Sequence, residues 1–324
     1  MEKHRLNITN VDTRSQTIPQ AGGARASRRQ EIQASMERLW HLDPEQFNPM
    51  RDCVQRRRVS RTVELISPQG KLIADIGCGA GYISRALRDA GATVHAVDVA
   101  GNALQSLKSL PTDRIVPIQD CLPMTKLEDN AYDDVVCTEV IGFLKPVEYR
   151  VAFAELSRIV KANGFVICST SLDTNSDNAL ERFAALAETE FVIDRWILDY
   201  NLLWMKICRF FEIPRSYARA AQEVEIRNME EGKRSGFTRS LFRFNTSLLM
   251  GKVWGVIALA TNPVAFFCRQ SPWLMNQLER VTRFLWNEAG ITHALFLGTR
   301  RRMIFPLPQN EIPTEMKHKR QVWE

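Results

Sequence analysis

The sequence of 324 residues predicts an α/β fold built on a doubly wound parallel sheet. Leu72–Ile76 is a short apolar run with the length and branching of a buried strand. Three alternate glycines, Gly77, Gly79 and Gly81, follow it, and helix formers continue over residues 83–87. A buried strand, a tight glycine turn and a helix start together form the first unit of a nucleotide-binding α/β fold.

A carboxylate ends the second predicted strand, which runs from Thr93 to Asp98. A carboxylate at this place can accept both hydroxyl groups of a ribose, as in dinucleotide dehydrogenases, so the strand alone leaves the ligand open. Two details favour S-adenosylmethionine. Asp75 precedes the first glycine, where its carboxylate could accept hydrogen bonds from the ammonium group of a methionine. The third glycine also follows the second by two positions, whereas the pyrophosphate fingerprint requires three.

The run from Asp75 to Gly81 resembles the first motif of class I S-adenosylmethionine-dependent methyltransferases, and of their type 11 group in particular. The resemblance extends over residues 70–172. Residues 118–123 resemble the segment whose aspartate contacts the adenine amino group, and residues 132–140 resemble the fourth strand, which borders the methyl-transfer site. Residues 155–165 resemble the helix and turn before strand five.

This resemblance implies a Rossmann-like, doubly wound sheet of seven strands and an enzyme that uses S-adenosylmethionine as its cofactor. It assigns the methionine end of the cofactor to Asp75, the ribose to Asp98 and the adenine amine to Asp120. The residues that we expect to bind the cofactor are Asp75, Gly77, Cys78, Gly79, Gly81, Asp98, Val99, Asp120, Cys121 and Thr138.

Additional structure is expected on both sides of this core. The helical spacing of Ile32, Met36 and Trp40 predicts a cap ahead of it, and the long stretch before the last strand is an insertion. The predicted parts are a disordered tail over residues 1–28, a helical cap over 29–66, the cofactor-binding core over 67–200 with a sixth strand at Thr189–Ile197, a mostly helical, hydrophobic insertion over 201–290, the last core strand over 291–305 and a tail over 306–324.

The apolar run Ser247–Cys268 in the insertion admits three interpretations. Its length suffices to cross a bilayer, but Lys252 and the Asn262-Pro263 pair lower its quality as a membrane span. It could instead be a buried lid helix over an apolar substrate pocket. The third interpretation is an interfacial helix, which would make residues 245–273 a peripheral membrane contact. The side chains that favour it are Trp254, Phe266, Phe267 and Trp273 beside Lys252 and Arg269.

Composition indicates a folded protein of a reducing compartment. Hydrophobic residues make up 45% and charged residues 25% of the chain, as in ordinary globular domains. The seven cysteines include no CxxC pair, so we expect a cytoplasmic protein without structural zinc, and we leave membrane association open. The net charge of +6 arises from arginine clusters that could contact RNA or anionic lipid, although a solvated surface is the simpler interpretation. These clusters are Arg25, Arg28 and Arg29; Arg56, Arg57, Arg58 and Arg61; and Arg300, Arg301 and Arg302.

Few side chains are candidates for catalysis. Methyl transfer from a sulfonium mainly requires alignment of the acceptor, and an oxygen nucleophile also requires a base. Glu139, at the end of strand four, and His41, on the cap, are the candidate bases. His95 lies within a strand and is expected to be structural. We predict no metal site.

Two further segments, residues 47–51 and 168–172, resemble quinone-biosynthesis O-methyltransferases. That family follows strand four with a Glu-Val-Ile/Leu-Glu-His run, whereas this chain has Glu139-Val140-Ile141-Gly142-Phe143. The second acid and the histidine are absent from this run, so metal-assisted catechol methylation is not expected. Phe143 would instead add an apolar wall.

The sequence therefore predicts methyl transfer from S-adenosylmethionine to an oxygen or nitrogen atom of a small, hydrophobic acceptor. One alternative is an RNA or protein methyltransferase that uses the arginine clusters, although we expect no nucleic acid as partner. Another is a catalytically silent, membrane-associated assembly factor that keeps the fold. The identity of the acceptor and the oligomeric state are left open.

Overall fold

The computed structural model describes residues 21–109, 113–174, 176 and 178–301. Its sheet consists of β1 Leu72–Ile76, β2 Thr93–Asp98, β3 Ile115–Gln119, β4 Tyr132–Thr138, β5 Val160–Ser171, β6 Phe191–Asp199 and β7 His293–Arg300. The spatial order is β3-β2-β1-β4-β5-β7-β6. The first five strands in this order pair in parallel, and β7 runs antiparallel to both β5 and β6. The predicted Rossmann-like sheet of seven strands is confirmed.

Six of the described α-helices belong to the cap and the core, and five belong to the insertion. The first six are α1 Ala21–Leu42, α2 Cys53–Glu64, α3 Tyr82–Asp89, α4 Gly101–Lys108, α5 Tyr149–Ile159 and α6 Ala179–Glu190. The insertion consists of α7 Leu202–Gln222, α8 Val224–Gly232, α9 Gly236–Asn245, α10 Leu248–Gln270 and α11 Pro272–Trp286.

Helices cover both faces of the sheet because successive strand residues point to opposite sides. Ala74 of β1 packs in a cluster with Phe153 of α5, whereas its neighbour Ile73 packs with Leu87 of α3 and Leu104 of α4. All five side chains are fully buried. Burial on both faces explains why the central strands are continuous apolar runs without polar alternation.

The boundaries of several elements differ from the sequence predictions. Helix α1 already begins at Ala21, so residues 21–28 are helical, although the predicted disordered tail includes them. Arg28 near the start of α1 bonds to Glu148 at 3.2 Å, a tertiary contact that the sequence does not reveal. The sixth and seventh strands each begin two residues later than predicted. The predicted tail over residues 306–324 lies outside the described residues.

The insertion is mostly helical, as predicted, and it packs against helix α2 of the cap. Helices α7 and α10 lie close together: a Cβ at Gly251 would come within 2.4 Å of the Cβ of Ala221. Trp204 of α7 donates its indole N–H to the carbonyl of Cys268 in α10 at 3.0 Å. A small core joins these helices to α2 through Cys53. Insertion and cap therefore form one layer beside the carboxyl edge of β4 and β5.

Candidate active site

The glycine turn after β1 adopts a backbone conformation that other residues rarely take. The φ angles of Gly77, Gly79 and Gly81 are 72°, 55° and 76°. The backbone N–H of Gly77 donates to the carbonyl of Val97 at 2.7 Å, which ties the turn to the end of β2. A Cβ at Gly77 would lie 2.1 Å from Cγ2 of Val140. Packing within the protein therefore requires this glycine, in addition to any role toward a ligand.

Asp98, the last residue of β2, holds this turn in place. Its carboxylate accepts the backbone N–H of Gly79 at 2.9 Å and that of Ala100 at 2.8 Å. Burial raises the pKa of Asp98, although the two backbone hydrogen bonds oppose the shift. Each carboxylate oxygen accepts one backbone bond and keeps a second acceptor position. Asp98 can therefore bind two further hydroxyl groups.

Asp75 lies at the carboxyl end of β1 and is almost completely buried, with 1% exposure. The hydroxyl of Ser84 donates to its Oδ2 at 2.6 Å. Burial raises the pKa of Asp75 from 3.8 to about 7, because the hydrogen bond from Ser84 offsets only part of the desolvation cost. Asp75 has no cationic partner among the described residues, and such a buried carboxylate is suited to bind a ligand's ammonium group.

Asp120 follows β3, and its carboxylate has more partners within the protein than that of Asp75 or Asp98. Its Oδ1 accepts the backbone N–H of Cys121 at 2.8 Å, and its Oδ2 accepts that of Lys126 at 2.6 Å. Arg29 of α1 also forms an ion pair with Oδ1. A carboxylate offers about four acceptor positions, so one position on Oδ2 remains for an amine donor.

The cap helix α1 closes over these three carboxylates. Glu37 accepts the backbone N–H groups of Gly101 and Asn102, at 2.6 and 3.1 Å, at the N-terminus of α4. This is the helix end that favours negative charge. The ring of Trp40 lies so close to the glycine turn that a Cβ at Gly79 would meet its Cζ2 at 2.9 Å. The cap and the glycine turn therefore lie on two sides of the same space.

A cavity of about 790 Å³ lies between the cap, the carboxyl edge of the sheet and the insertion. Its lining includes every residue that we predicted to bind the cofactor except Gly81, together with the candidate base Glu139. His41 is exposed on the last turn of α1 and is not among the residues that line the cavity. The structure therefore does not bring His41 to the candidate site.

A second part of the cavity lining is charged. Helix α2 contributes Arg58, α7 contributes Arg209 and Glu212, and α10 contributes Arg269, whose Nε lies 2.5 Å from Glu212. The insertion thus borders the cavity, but with charged side chains. Only 17% of the most apolar stretch of α10 is buried. Helix α10 is therefore not the buried helix that the lid interpretation expects, although the insertion does border the cavity.

Glu139 lies directly after β4 and points its carboxylate at several polar groups. Its Oε1 accepts the hydroxyl of Ser169 at 2.9 Å and lies 2.8 Å from Nη1 of Arg58. Its φ angle is 60°, in the left-handed region that a residue with a Cβ rarely occupies. Such strain persists where the surroundings fix the backbone, and it occurs at functional sites. Its backbone N–H donates to the carbonyl of Ser169 at 2.9 Å, which contributes to this constraint.

The sequence interpretation missed His293, the first residue of β7. Its Nε2 lies 3.7 Å from Oε2 of Glu139, and its Nδ1 lies 3.0 Å from the hydroxyl of Thr292. Burial and the neighbouring Arg58 lower the pKa of His293 to about 4, so the ring is neutral at pH 7. No local motif marks this residue, because its partner belongs to a distant strand. His95, in contrast, lies 2.8 Å from the hydroxyl of Tyr132 within the core, as a structural residue would.

The arginines of α2 bind side chains of other segments of the protein. Arg57 contacts Asp199 at 3.1 Å and Glu279 at 2.8 Å, while Arg61 contacts Asp199 at 2.7 Å. Arg56 donates to the side chain of Gln270 at 2.6 Å. These contacts join the cap to β6 and the insertion, so the interpretation of this cluster as a solvated surface is wrong.

The residues that line the cavity fit S-adenosylmethionine. Three buried carboxylates lie at the carboxyl ends of β1, β2 and β3, and each retains acceptor capacity for one class of donor: an ammonium, a ribose diol or an aromatic amine. The glycine turn lies between the first two. Among the described residues, no group of three or more His, Cys, Asp and Glu side chains could hold a metal ion.

Comparison with known proteins matches the segment that contains the glycine turn and the three carboxylates. Residues 74–168 match the family model described as a methyltransferase domain. A ubiquinone biosynthesis O-methyltransferase of Bordetella avium is 32% identical over 142 residues, which are 41% of this chain and 56% of the relative. Another, from Thiobacillus denitrificans, is 28% identical over 205 residues, or 60% of this chain and 79% of the relative.

Among solved structures, the magnesium protoporphyrin IX methyltransferase of Synechocystis is similar at 17% identity and a TM-score of 0.40. The match covers 52% of this chain and 92% of that one. The chain spans little more than half the length of the Bordetella avium relative. Residues 74–168, which include the glycine turn, Asp98 and Asp120, are therefore the part of the chain that is similar to a methyltransferase domain.

Proposed function

We propose that the chain is a methyltransferase that binds S-adenosylmethionine in the cavity and transfers its methyl group to a small acceptor. The observation that carries this proposal is the convergence of Asp75, Asp98 and Asp120 around the glycine turn in one cavity. Their carboxylates supply the acceptors that the methionine, ribose and adenine parts of the cofactor require.

The chain's residues have separate tasks in this proposal. When bound, S-adenosylmethionine supplies an electrophilic methyl group. Asp75 and Asp98 hold and orient the cofactor, and the cap residues Met36 and Trp40 exclude water from it. Glu139 is positioned to take a proton from an oxygen or nitrogen acceptor, because its carboxylate lines the same cavity. Alignment contributes the larger share of the acceleration, since displacement at a methyl group depends on the angle of attack.

Calorimetric titration of the purified protein with S-adenosylmethionine and S-adenosylhomocysteine tests the proposal. We expect one binding site for each, and loss of binding on mutation of Asp75 or Asp98. Binding without turnover of any acceptor would favour the silent assembly factor instead. Absence of binding would refute the methyltransferase proposal.

A small acceptor suits the site better than RNA does. The acceptor would enter a cavity walled by the aromatic side chains of Trp40, Phe47 and Phe143, with ring centroids of the first two 4.9 Å apart. The α2 arginines that could have formed an RNA surface instead contact carboxylates of the protein itself. An RNA acceptor would require steep salt dependence of its binding, which we do not expect.

We also propose that helix α10 rests on an anionic membrane surface. Leu248, Val256, Leu259 and Phe266 recur at helical spacing along one face, and each is at least 66% exposed. Lys252 shares this face and is exposed, so its ammonium could reach lipid phosphates while its stem stays apolar. The basic net charge of +6 favours anionic lipid. The protein would then be a cytoplasmic enzyme that binds membranes peripherally.

The length of α10 also permits a membrane span, since it is the one helix among the described residues that is long and apolar enough. Its contacts argue for the surface orientation. Gly251 packs against Ala221 of α7, and Cys268 accepts a bond from Trp204. A spanning helix would have to abandon these contacts with α7, which carries charged residues along its length.

A further inference from the structure

Arg58 is a buried guanidinium whose hydrogen-bonding capacity is only partly used. The residue is 8% exposed and lines the cavity. Its Nη1 forms an ion pair with Oε1 of Glu139 at 2.8 Å, whereas its Nε has no hydrogen-bond partner among the described residues. A buried donor without an acceptor costs free energy, and guanidinium donors are arranged to grip a planar oxyanion. Arg58 is therefore placed to receive an oxyanion.

A second guanidinium borders the same space. Arg209 of α7 lines the cavity, is exposed to it, and makes no hydrogen bond or ion pair with the residues that the structure describes. The neighbouring Arg269 is different, because Glu212 already compensates its charge at 2.5 Å. Asp52 is likewise engaged: its side chain caps α2 by accepting the N–H of Gln55 at 2.7 Å. Arg209 thus adds an uncompensated positive charge to this part of the cavity.

Aromatic side chains form a different part of the cavity lining. The rings of Trp40, Phe47 and Phe143 lie in a row, with centroid distances of 4.9 and 6.5 Å between neighbours. Such a row packs against a flat apolar molecule. The cavity therefore offers an apolar surface and two guanidinium groups to the same ligand.

We propose that the methyl acceptor carries an anionic group, a carboxylate or a phosphate, that binds Arg58 and Arg209 while its apolar body packs on the aromatic row. This inference rests on the proposed methyltransferase function, because it describes the acceptor of that reaction. Recognition of the anion fixes the orientation of the acceptor relative to Glu139. Neutral acceptors of the same shape are disfavoured, because they would leave the charge of Arg209 uncompensated and would offer the buried Nε of Arg58 no charge-assisted hydrogen bond.

Two naphthalene probes of equal shape test this assignment. The full-length protein is titrated with 2-naphthoate and with 2-naphthamide, each with and without S-adenosylhomocysteine. We expect the carboxylate to bind at least tenfold more tightly than the amide. Arg209→Gln should reduce this preference at least fivefold, whereas Arg215→Gln, an exposed arginine on the same helix outside the cavity lining, should leave it unchanged.

Glu139→Gln should change naphthoate binding in the opposite direction to Arg209→Gln. This change removes the anion that lies against Arg58, so naphthoate affinity should rise if the guanidinium is available to a ligand. Equal binding of the two probes, binding of neither, or a preference that survives Arg209→Gln undiminished would overturn the proposal. Binding of S-adenosylhomocysteine is measured separately: its loss alone refutes the methyltransferase function, and its persistence without a probe preference refutes only the anionic acceptor.

Discussion

The imidazole of His293 lies beside the carboxylate of Glu139, with 3.7 Å between Nε2 and Oε2. The hydroxyl of Thr292 donates to the carbonyl of Asp199 at 3.1 Å, so it can only accept from Nδ1 of His293. This assigns the imidazole proton to Nδ1 and leaves Nε2 as an acceptor that faces Glu139. A proton taken up by Glu139 would therefore find a second acceptor close by.

Glu139→Gln tests the role of the carboxylate as the proton acceptor. The amide keeps the size of the side chain and its bond from Ser169, but it cannot take up a proton. We expect turnover to fall by roughly 100-fold, the lower range for loss of a general base. The measurement is the rate of S-adenosylhomocysteine formation at saturating acceptor. Unchanged turnover, with cofactor binding intact, would mean that the acceptor loses its proton without Glu139.

The neutral state of His293 predicts a pH dependence of stability. Its pKa in the folded protein is about 4, below the ordinary value of 6.5, so the folded state binds fewer protons than the unfolded state. The corresponding stability is present above pH 6.5 and is lost as the pH falls toward 4. The shift amounts to about 3 kcal/mol at roughly 1.4 kcal/mol per pH unit.

His293→Gln removes this contribution. Between pH 7 and pH 4, the free energy of unfolding of the wild type should fall by about 3 kcal/mol more than that of the variant. Urea denaturation at several pH values measures both. Parallel curves would show that His293 titrates normally and is not held neutral by its surroundings.

Asp75 predicts a pH dependence of stability with the opposite sign, and with it a pH dependence of cofactor binding. Its pKa of about 7 exceeds the ordinary 3.8, so folding favours its protonated form, and the resulting stability is lost as the pH rises from about 4 to 7. Binding of an ammonium group requires the ionised form. The affinity for S-adenosylhomocysteine should therefore rise about tenfold between pH 6 and pH 8, following the ionised fraction.

The matched variant is Asp75→Asn, which keeps an acceptor for Ser84. It should bind the cofactor weakly at every pH, and it should be more stable than the wild type at pH 8 by a few kcal/mol, because no buried charge has to form. Calorimetry and urea denaturation give the two quantities. A pH-independent affinity in the wild type would show that Asp75 does not bind the ammonium group.

Asp98 combines ligand binding with support of the glycine turn. Asp98→Ala removes the acceptors for Gly79 and Ala100, so we expect a loss of cofactor affinity of roughly 100-fold and a cost of about 1–3 kcal/mol in stability. Asp98→Asn keeps one acceptor and should lose less of both. Calorimetry measures the cofactor affinity of both variants, and thermal denaturation measures their stability. Equal affinities of wild type and Asp98→Ala would place the ribose elsewhere.

The convergence of the three carboxylates beside the glycine turn was predictable from sequence because its determinants are mostly local. Asp75 and the three glycines lie within a few residues of one another, and parallel strands bring Asp98 and Asp120 to the same edge of the sheet. Only the engagement of Asp120 by Arg29 was not predictable, since it depends on where the cap helix comes to rest.

The charged part of the cavity was not predictable because its contacts join distant segments. Arg58 lies in a run of arginines that looks like a solvated helix face. Its ion-pair partner Glu139 follows β4, and the insertion borders the cavity that Arg58 lines. The same holds for His293, which faces Glu139 only because β7 inserts between β5 and β6. Trp254, expected at a membrane interface, instead stacks on Tyr217 at 5.3 Å.

Membrane binding by the exposed face of α10 can be tested by mutating residues of that face. Unlike Trp254, which stacks on Tyr217, these residues point to solvent. Leu259 and Phe266 are 73% and 66% exposed, so the double change Leu259→Asp and Phe266→Asp should leave the fold intact. Removing two apolar contacts, each worth roughly 1.5–3 kcal/mol when fully buried, should weaken binding to phosphatidylglycerol vesicles at least tenfold. Val147→Asp, at an 82% exposed site in the core domain, is the control and should bind like the wild type. Co-sedimentation with these vesicles and with neutral phosphatidylcholine measures all three proteins. Wild-type protein that stays in the supernatant, or a double variant that sediments equally well, would show that the apolar face of α10 does not bind lipid.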